Sequence, residues 1–143
     1  MTSLLRFYGL ALLIFSGSAT ACRPAPKLVL VDRVVSPDSM FDAVLARDDG
    51  DATTPVGYVV YLMPHGAPLP PYDRYLFAAY DADSLKIGWA EPSVVDITFL
   101  RATIAHFRNL WTDNRQSSEH RIEIRLRPLD PNTSLRTGIH YGR

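Results

Sequence analysis

From Lys27 onward, apolar residues come in short runs, and a cluster of turn-forming residues closes nearly every one. An amphipathic helix needs roughly ten or more residues of uninterrupted 3.6 periodicity, so this punctuation selects strands. The plainest case is 120–127, where Ile122, Ile124 and Leu126 alternate with Arg121, Glu123, Arg125 and Arg127. That is the period-2 pattern of a strand with one face on a core and one in water.

The same reading predicts strands at 27–35, 40–47, 56–63, 74–80, 85–90 and 94–100. Ser36-Pro37-Asp38-Ser39 closes the first, because Pro fixes φ while Asp and Ser bond the local backbone. In the second, Phe41, Ala43 and Leu45 share a face, and Asp42 is expected on a solvated one. The run 56–63 is apolar on both sides and predicts a strand buried on both faces. Pro64, Pro68, Pro70 and Pro71 make the following segment a loop that no ladder can use. Asp81-Ala82-Asp83-Ser84 reads as a turn into the strand carrying Leu85, Ile87 and Trp89 on one face. Val95, Ile97 and Phe99 then alternate with Asp96 and Thr98. In 100–111, Leu100, Ile104, Phe107 and Trp111 also fit helical spacing, but β-branched and aromatic content without a capping signal favours strand. About seven to eight short strands without a crossover helix predict an all-β antiparallel meander, closed as a small sandwich or barrel-like sheet.

The segment before Lys27 has a different logic. Arg6 precedes an apolar stretch from Phe7 to Phe15, and small residues follow up to Ala19-Thr20-Ala21. These are the three regions of an export signal, shorter than the roughly 20 apolar residues of a membrane span. The expected organisation is a helical signal peptide at 1–21, a linker at 22–26, a β domain at 27–130 and a polar tail at 131–143. Cys22 is the single cysteine of the chain. Ala19-Thr20-Ala21-Cys22 is similar to a bacterial lipobox, with Ala19 where Leu is most frequent, and lipidation would consume a thiol otherwise left free in an oxidising compartment. Arg23-Pro24-Ala25-Pro26 then reads as a short, stiff spacer.

Fifteen Lys and Arg balance fifteen Asp and Glu. A chain with no excess of positive charge lacks the phosphate-neutralising term on which nucleic-acid binding depends. The same balance leaves a lipid anchor at Cys22 as the expected route to a membrane.

Four features, in order, carry a resemblance to a known group: Ser36-Pro37-Asp38-Ser39, then Asp49 to Thr54, then Tyr58 to Pro64 with Gly66, then Leu85-Lys86-Ile87-Gly88-Trp89. The sequence resembles a loose family of small exported bacterial proteins of unknown function, with Ser-Pro-Asp-Gly and Gly-Ala-Thr-Thr turn motifs. It departs in having Ser39 for Gly and Asp51 ahead of Ala52-Thr53-Thr54. The resemblance implies an exported β domain and no particular reaction.

Candidate chemistry is sparse. Asp48, Asp49, Asp51, Thr53 and Thr54 could offer oxygens to a cation, but the spacing departs from the alternate acids and terminal Glu of a calcium loop. His65, His106, His120 and His140 are scattered without a helix-face pair, so neither zinc nor any other cofactor is expected. His65 reads as an exposed loop residue and His106 as half-buried beside Phe107. No nucleophile elbow occurs, and Asp81 with Asp83 reads as turn chemistry. Arg121, Arg125 and Arg127 form a charged strand face interrupted by Glu123, and Tyr58, Tyr61, Tyr72, Tyr75 and Tyr80 read chiefly as core rims. The expected function is a non-enzymatic envelope module that binds a protein or small ligand through a sheet face or the loops 48–55 and 64–73. Asp49, Asp51, Thr53, Thr54 and His65 are its candidate contacts. The alternative is a small hydrolase or metal-dependent enzyme assembled from His65, Asp49 and Asp51.

Overall fold

The computed structural model describes residues 27–49, 57–71, 74–113, 120–131 and 136–137. The expected signal peptide, the linker and Cys22 lie outside the described residues. In chain order the strands are β1 (Leu28–Val35), β2 (Phe41–Asp48), β3 (Gly57–Pro64), β4 (Phe77–Asp83), β5 (Lys86–Glu91), β6 (Val94–Phe99), β7 (Arg101–Phe107), β8 (Leu110–Asp113), β9 (His120–Pro128) and β10 (Arg136–Thr137). They form two open sheets, ordered β1-β2-β3-β4-β7-β10 and β5-β6-β9-β8. The protein is an all-β sandwich, not a closed barrel.

Antiparallel pairing dominates, and sequential strands pair directly from β1 through β4. After β6 the chain returns to the first sheet as β7 and then crosses to the second as β8. Strand β9 therefore reaches β6 as a parallel neighbour, with Val95 opposite Ile124. Simple alternation of hydrophobicity cannot encode that crossing.

The core between the sheets follows the alternation closely. Phe41, Ala43, Leu45, Phe77, Val95, Ile97, Phe99, Ile122 and Ile124 interlock there, with Leu85, Trp89 and Leu126 at its margin. Each fully buried Phe or Ile contributes about 1.5–3 kcal/mol by leaving water. The ambiguous 100–111 segment is two strands, one on each sheet, so its helical spacing reflects a change of sheet.

Four expectations need correction. The strand read at 74–80 runs from Phe77 to Asp83, and the expected turn at Asp81-Ala82-Asp83 is an irregular strand end. There Asp81 has φ 48°, Ser84 has φ 56°, and the register against β7 shifts between Tyr80 and Asp83. Irregularity lets polar turn residues stay within a paired strand. Arg136 and Thr137, in the expected loose tail, pair with Thr103 and Ile104. Strand β2 has no solvated side over most of its length, since its second face joins another apolar cluster of Val44, Ala46, Val59, Tyr61, Met63 and Ala78. Asp42, expected in water, is fully buried. The cause of both last corrections is the proline-rich segment after β3, whose Ala67, Leu69 and Tyr75 pack over that outer face.

Candidate functional site

Where β2 begins and β3 ends, three pieces of chain meet on one carboxylate. The register places Asp42 opposite Met63 on β3 and Val35 on β1. Arg33 lies two residues earlier on β1, and His65 and Gly66 follow the end of β3. Met40 O accepts the His65 N–H at 2.9 Å and draws the segment back over the start of β2.

Asp42 Oδ2 accepts Arg33 Nη1–H and the Gly66 backbone N–H, both at 2.9 Å. Asp42 Oδ1 lies 2.7 Å from His65 Nδ1. Burial alone would raise the Asp42 pKa, but hydrogen bonds from His65, Gly66 and Arg33 outweigh it and hold the carboxyl below its ordinary range. A buried carboxylate is stable only when it is paired in this way. An ionised carboxylate only accepts, so His65 Nδ1 carries a proton, and in the neutral imidazole the lone pair is then on Nε2. The His65 side chain is 52% exposed while that of Arg33 is 28% exposed.

Arg33 has a second partner. Nη1 and Nη2 both reach Ala67 O at 3.2 Å, so one guanidinium joins the buried acid to the backbone of the proline-rich segment. Gly66 has φ 75°, a backbone conformation that glycine adopts without the cost a side chain brings. The cluster can hold a loop in one shape, and through His65 Nε2 it can accept a proton.

Neighbouring polar groups build turns. Ser36 Oγ donates to Asp38 Oδ1 at 2.5 Å and accepts the Phe41 N–H at 3.0 Å. The Ser36 hydrogen bond, followed by that from the Met40 backbone, draws the Asp38 pKa below its usual value.

The other sequence candidates disperse. Asp49 is exposed and pairs with Arg47 Nε at 2.6 Å. Asp51, Thr53 and Thr54 lie outside the described residues, so the expected 48–55 contact surface is described only at Asp48 and Asp49. Asp49 follows the Asp48–Gly57 end of the β2–β3 pair, whereas His65 follows the opposite Phe41–Pro64 end. Strands of this length separate those ends by roughly 24 Å, so one pocket built from Asp49 and His65 does not form. Among the described residues, no group of three or more His, Cys, Asp or Glu side chains could hold a metal ion.

His106 stacks edge-on against Tyr75 at 5.2 Å, and burial, then Arg108, pushes its pKa down. His120 packs 5.4 Å from the Phe41 ring, which also meets Trp111 at 5.2 Å. Arg125 and Arg127 pair on their own face with Glu123 at 3.0 Å and Asp96 at 3.4 Å. Tyr58 packs at the margin of the inter-sheet core, while Tyr61 and Tyr75 serve the outer cluster. Tyr72 lies outside the described residues.

Asp42 and Arg33 are the residues that sequence reasoning missed. The available signal was an acid followed on its own face by Val44 and Ala46, which leaves that face apolar beyond the acid. An acid heading an apolar face needs a buried partner.

No family model, curated protein or solved structure matches this chain.

Proposed function

We propose that the chain is an exported bacterial envelope protein, anchored through lipidated Cys22, that acts as a non-enzymatic binding module for an envelope protein or small ligand. The contact surface in this reading is the loop at 64–71. One observation carries it: the buried Asp42 carboxylate receives three donors, and all three come from the loop or from the strand residue that grips it. Rigid display of an irregular loop on a sheet scaffold is how many β proteins recognise partners. The export signal and the resemblance to small exported proteins support the location.

Two experiments test this. In cells, a photo-crosslinker at Pro68 should yield a discrete adduct that the same group at Lys86, on the other sheet, does not. Equal labelling at both positions would refute the assigned surface. Cys22→Ser should release the mature protein from the membrane fraction and abolish fatty-acid labelling. Retention there without label would remove the anchor.

The 2.7 Å contact between His65 Nδ1 and Asp42 Oδ1 favours one second reading, a hydrolase using His65 Nε2 as general base. Hydrolysis of p-nitrophenyl butyrate that falls in His65→Gln, with the fold unchanged, supports it. Equal rates remove it.

A further inference from the structure

The apolar outer face of β2, β3 and β4 is an unusual burden for a sandwich, whose outer faces are ordinarily solvated. Here Val44, Ala46, Val59, Tyr61, Met63 and Ala78 are buried there, under Ala67, Leu69 and Tyr75. The cover over β2 and β3 is therefore no third sheet. Beside Leu28 and Tyr75, it is a strap, His65 to Pro71, in which Pro68, Pro70 and Pro71 have no N–H to give a ladder.

The strap is fastened unevenly. Around its first residues sit the Asp42 bonds to His65 and Gly66, the Met40 bond to His65 N–H, and the Arg33 bonds to Ala67 O. Ala67 N–H turns back onto Pro64 O at 3.1 Å, which makes this end a small closed unit. Past Ala67, the strap meets the sheet through the packing of Leu69. After the strap, Leu76 N–H rejoins the sheet at Val60 O, 2.8 Å away. The β2–β3 register runs without a shift beneath, so lifting the strap breaks none of those strand pairs.

We propose that His65 to Pro71 is a lid latched by Arg33 and Asp42, which opens as a unit while the sandwich stays folded and so uncovers the apolar face of β2 and β3. The inference rests on the binding-module reading, as a means of regulating that same surface. Closed, the module offers a proline-rich loop; open, it offers an apolar sheet face. Local opening of a segment with few backbone bonds to the sheet is the expected low-energy fluctuation in such a fold.

Hydrogen exchange on the full mature chain tests this independently of any partner. Arg33→Met removes the bonds to Ala67 O. Gly66→Ala leaves Arg33 and Asp42 in place and strains the latch through φ alone, since an added Cβ would meet nothing within 4 Å. In both variants the His65 amide, which bonds Met40 O across the latch, should exchange at least tenfold faster, the Val44 and Val60 amides should be unchanged, and bis-ANS fluorescence should rise. The proposal is overturned if His65 exchanges at one common rate with Val44 and Val60, or if neither substitution moves His65. A loss of partner adducts at position 68 with these exchange results intact would sink the binding reading and leave the lid.

Discussion

His65 Nδ1 lies 2.7 Å from Asp42 Oδ1, yet the acid is fully buried while the imidazole is half in water. The two ends of this bond should therefore respond unequally to mutation. Asp42→Asn keeps the shape and removes the charge that Arg33 and Gly66 N–H were arranged around, and should cost about 2 kcal/mol. His65→Gln removes one donor that water can partly replace, and should cost about 0.5 kcal/mol. Urea unfolding monitored by tryptophan fluorescence measures both. Equal costs would mean that Asp42 is not the centre of the cluster.

Acid sensitivity follows from the same carboxylate. Its folded-state pKa lies below the ordinary 3.8, so the unfolded chain takes up the proton first as pH falls. The stabilisation is complete above about 3.8 and is lost as pH falls through the folded value. Asp38 and Glu123, each lowered first by a side-chain hydrogen bond from Ser36 or Arg125, lose stability in the same direction. The share due to Asp42 is isolated by comparison with Asp42→Asn. Between pH 6 and pH 3 the wild-type urea midpoint should fall further than that of the variant. Parallel curves would refute the assignment.

Much of the fold was legible because alternation is a local signal. Ile122 and Ile124, or Ile97 and Phe99, declare their face by spacing alone, and all are buried where that spacing puts them. The candidate site was not legible, because its partners are far apart in the chain. Arg33, Asp42 and His65 belong to three different segments, and only strand pairing brings them together. The expectation of water around Asp42 failed for a related reason. Alternation says which side of a strand a residue takes, but not whether a distant loop will cover that side. The prolines after His65 marked a non-strand, and their cover over the sheet depends on Ala67 and Leu69 finding apolar neighbours from β2 and β3.

Ser39 offers a test of backbone strain. Its φ of 57° lies in the left-handed region, and its N–H closes the turn onto Ser36 O at 2.8 Å. Glycine adopts that conformation with no Cβ penalty. Ser39→Gly should therefore stabilise by about 0.5 kcal/mol, the relieved strain being partly offset by greater freedom of the unfolded chain. Ser39→Val should destabilise by about 1 kcal/mol or more. Thermal unfolding of the two variants beside wild type should give midpoints in the order Gly, Ser, Val.

The outer edge of β1 is guarded by side chains, and removing them should promote association before it promotes unfolding. Leu30 and Val31 are each 50% exposed there, an apolar edge of the kind that recruits other chains. Three devices blunt it: the register shifts between Leu30 and Asp32, Asp32 Oδ1 accepts the Arg33 N–H at 2.8 Å, and Trp89 Nε1–H donates to Val34 O at 2.9 Å. Asp32→Ala with Trp89→Phe frees one donor and one acceptor on this strand while leaving an aromatic ring at position 89. Each hydrogen bond contributes about 1 kcal/mol or less, so the double variant should remain folded. Ile97→Val, costing about 0.5–1.5 kcal/mol within the core, provides a control that is destabilised without exposing an edge. Under native conditions, light scattering should rise over hours for the edge variant and stay flat for the control. If both aggregate alike, instability and not the uncovered edge is the cause.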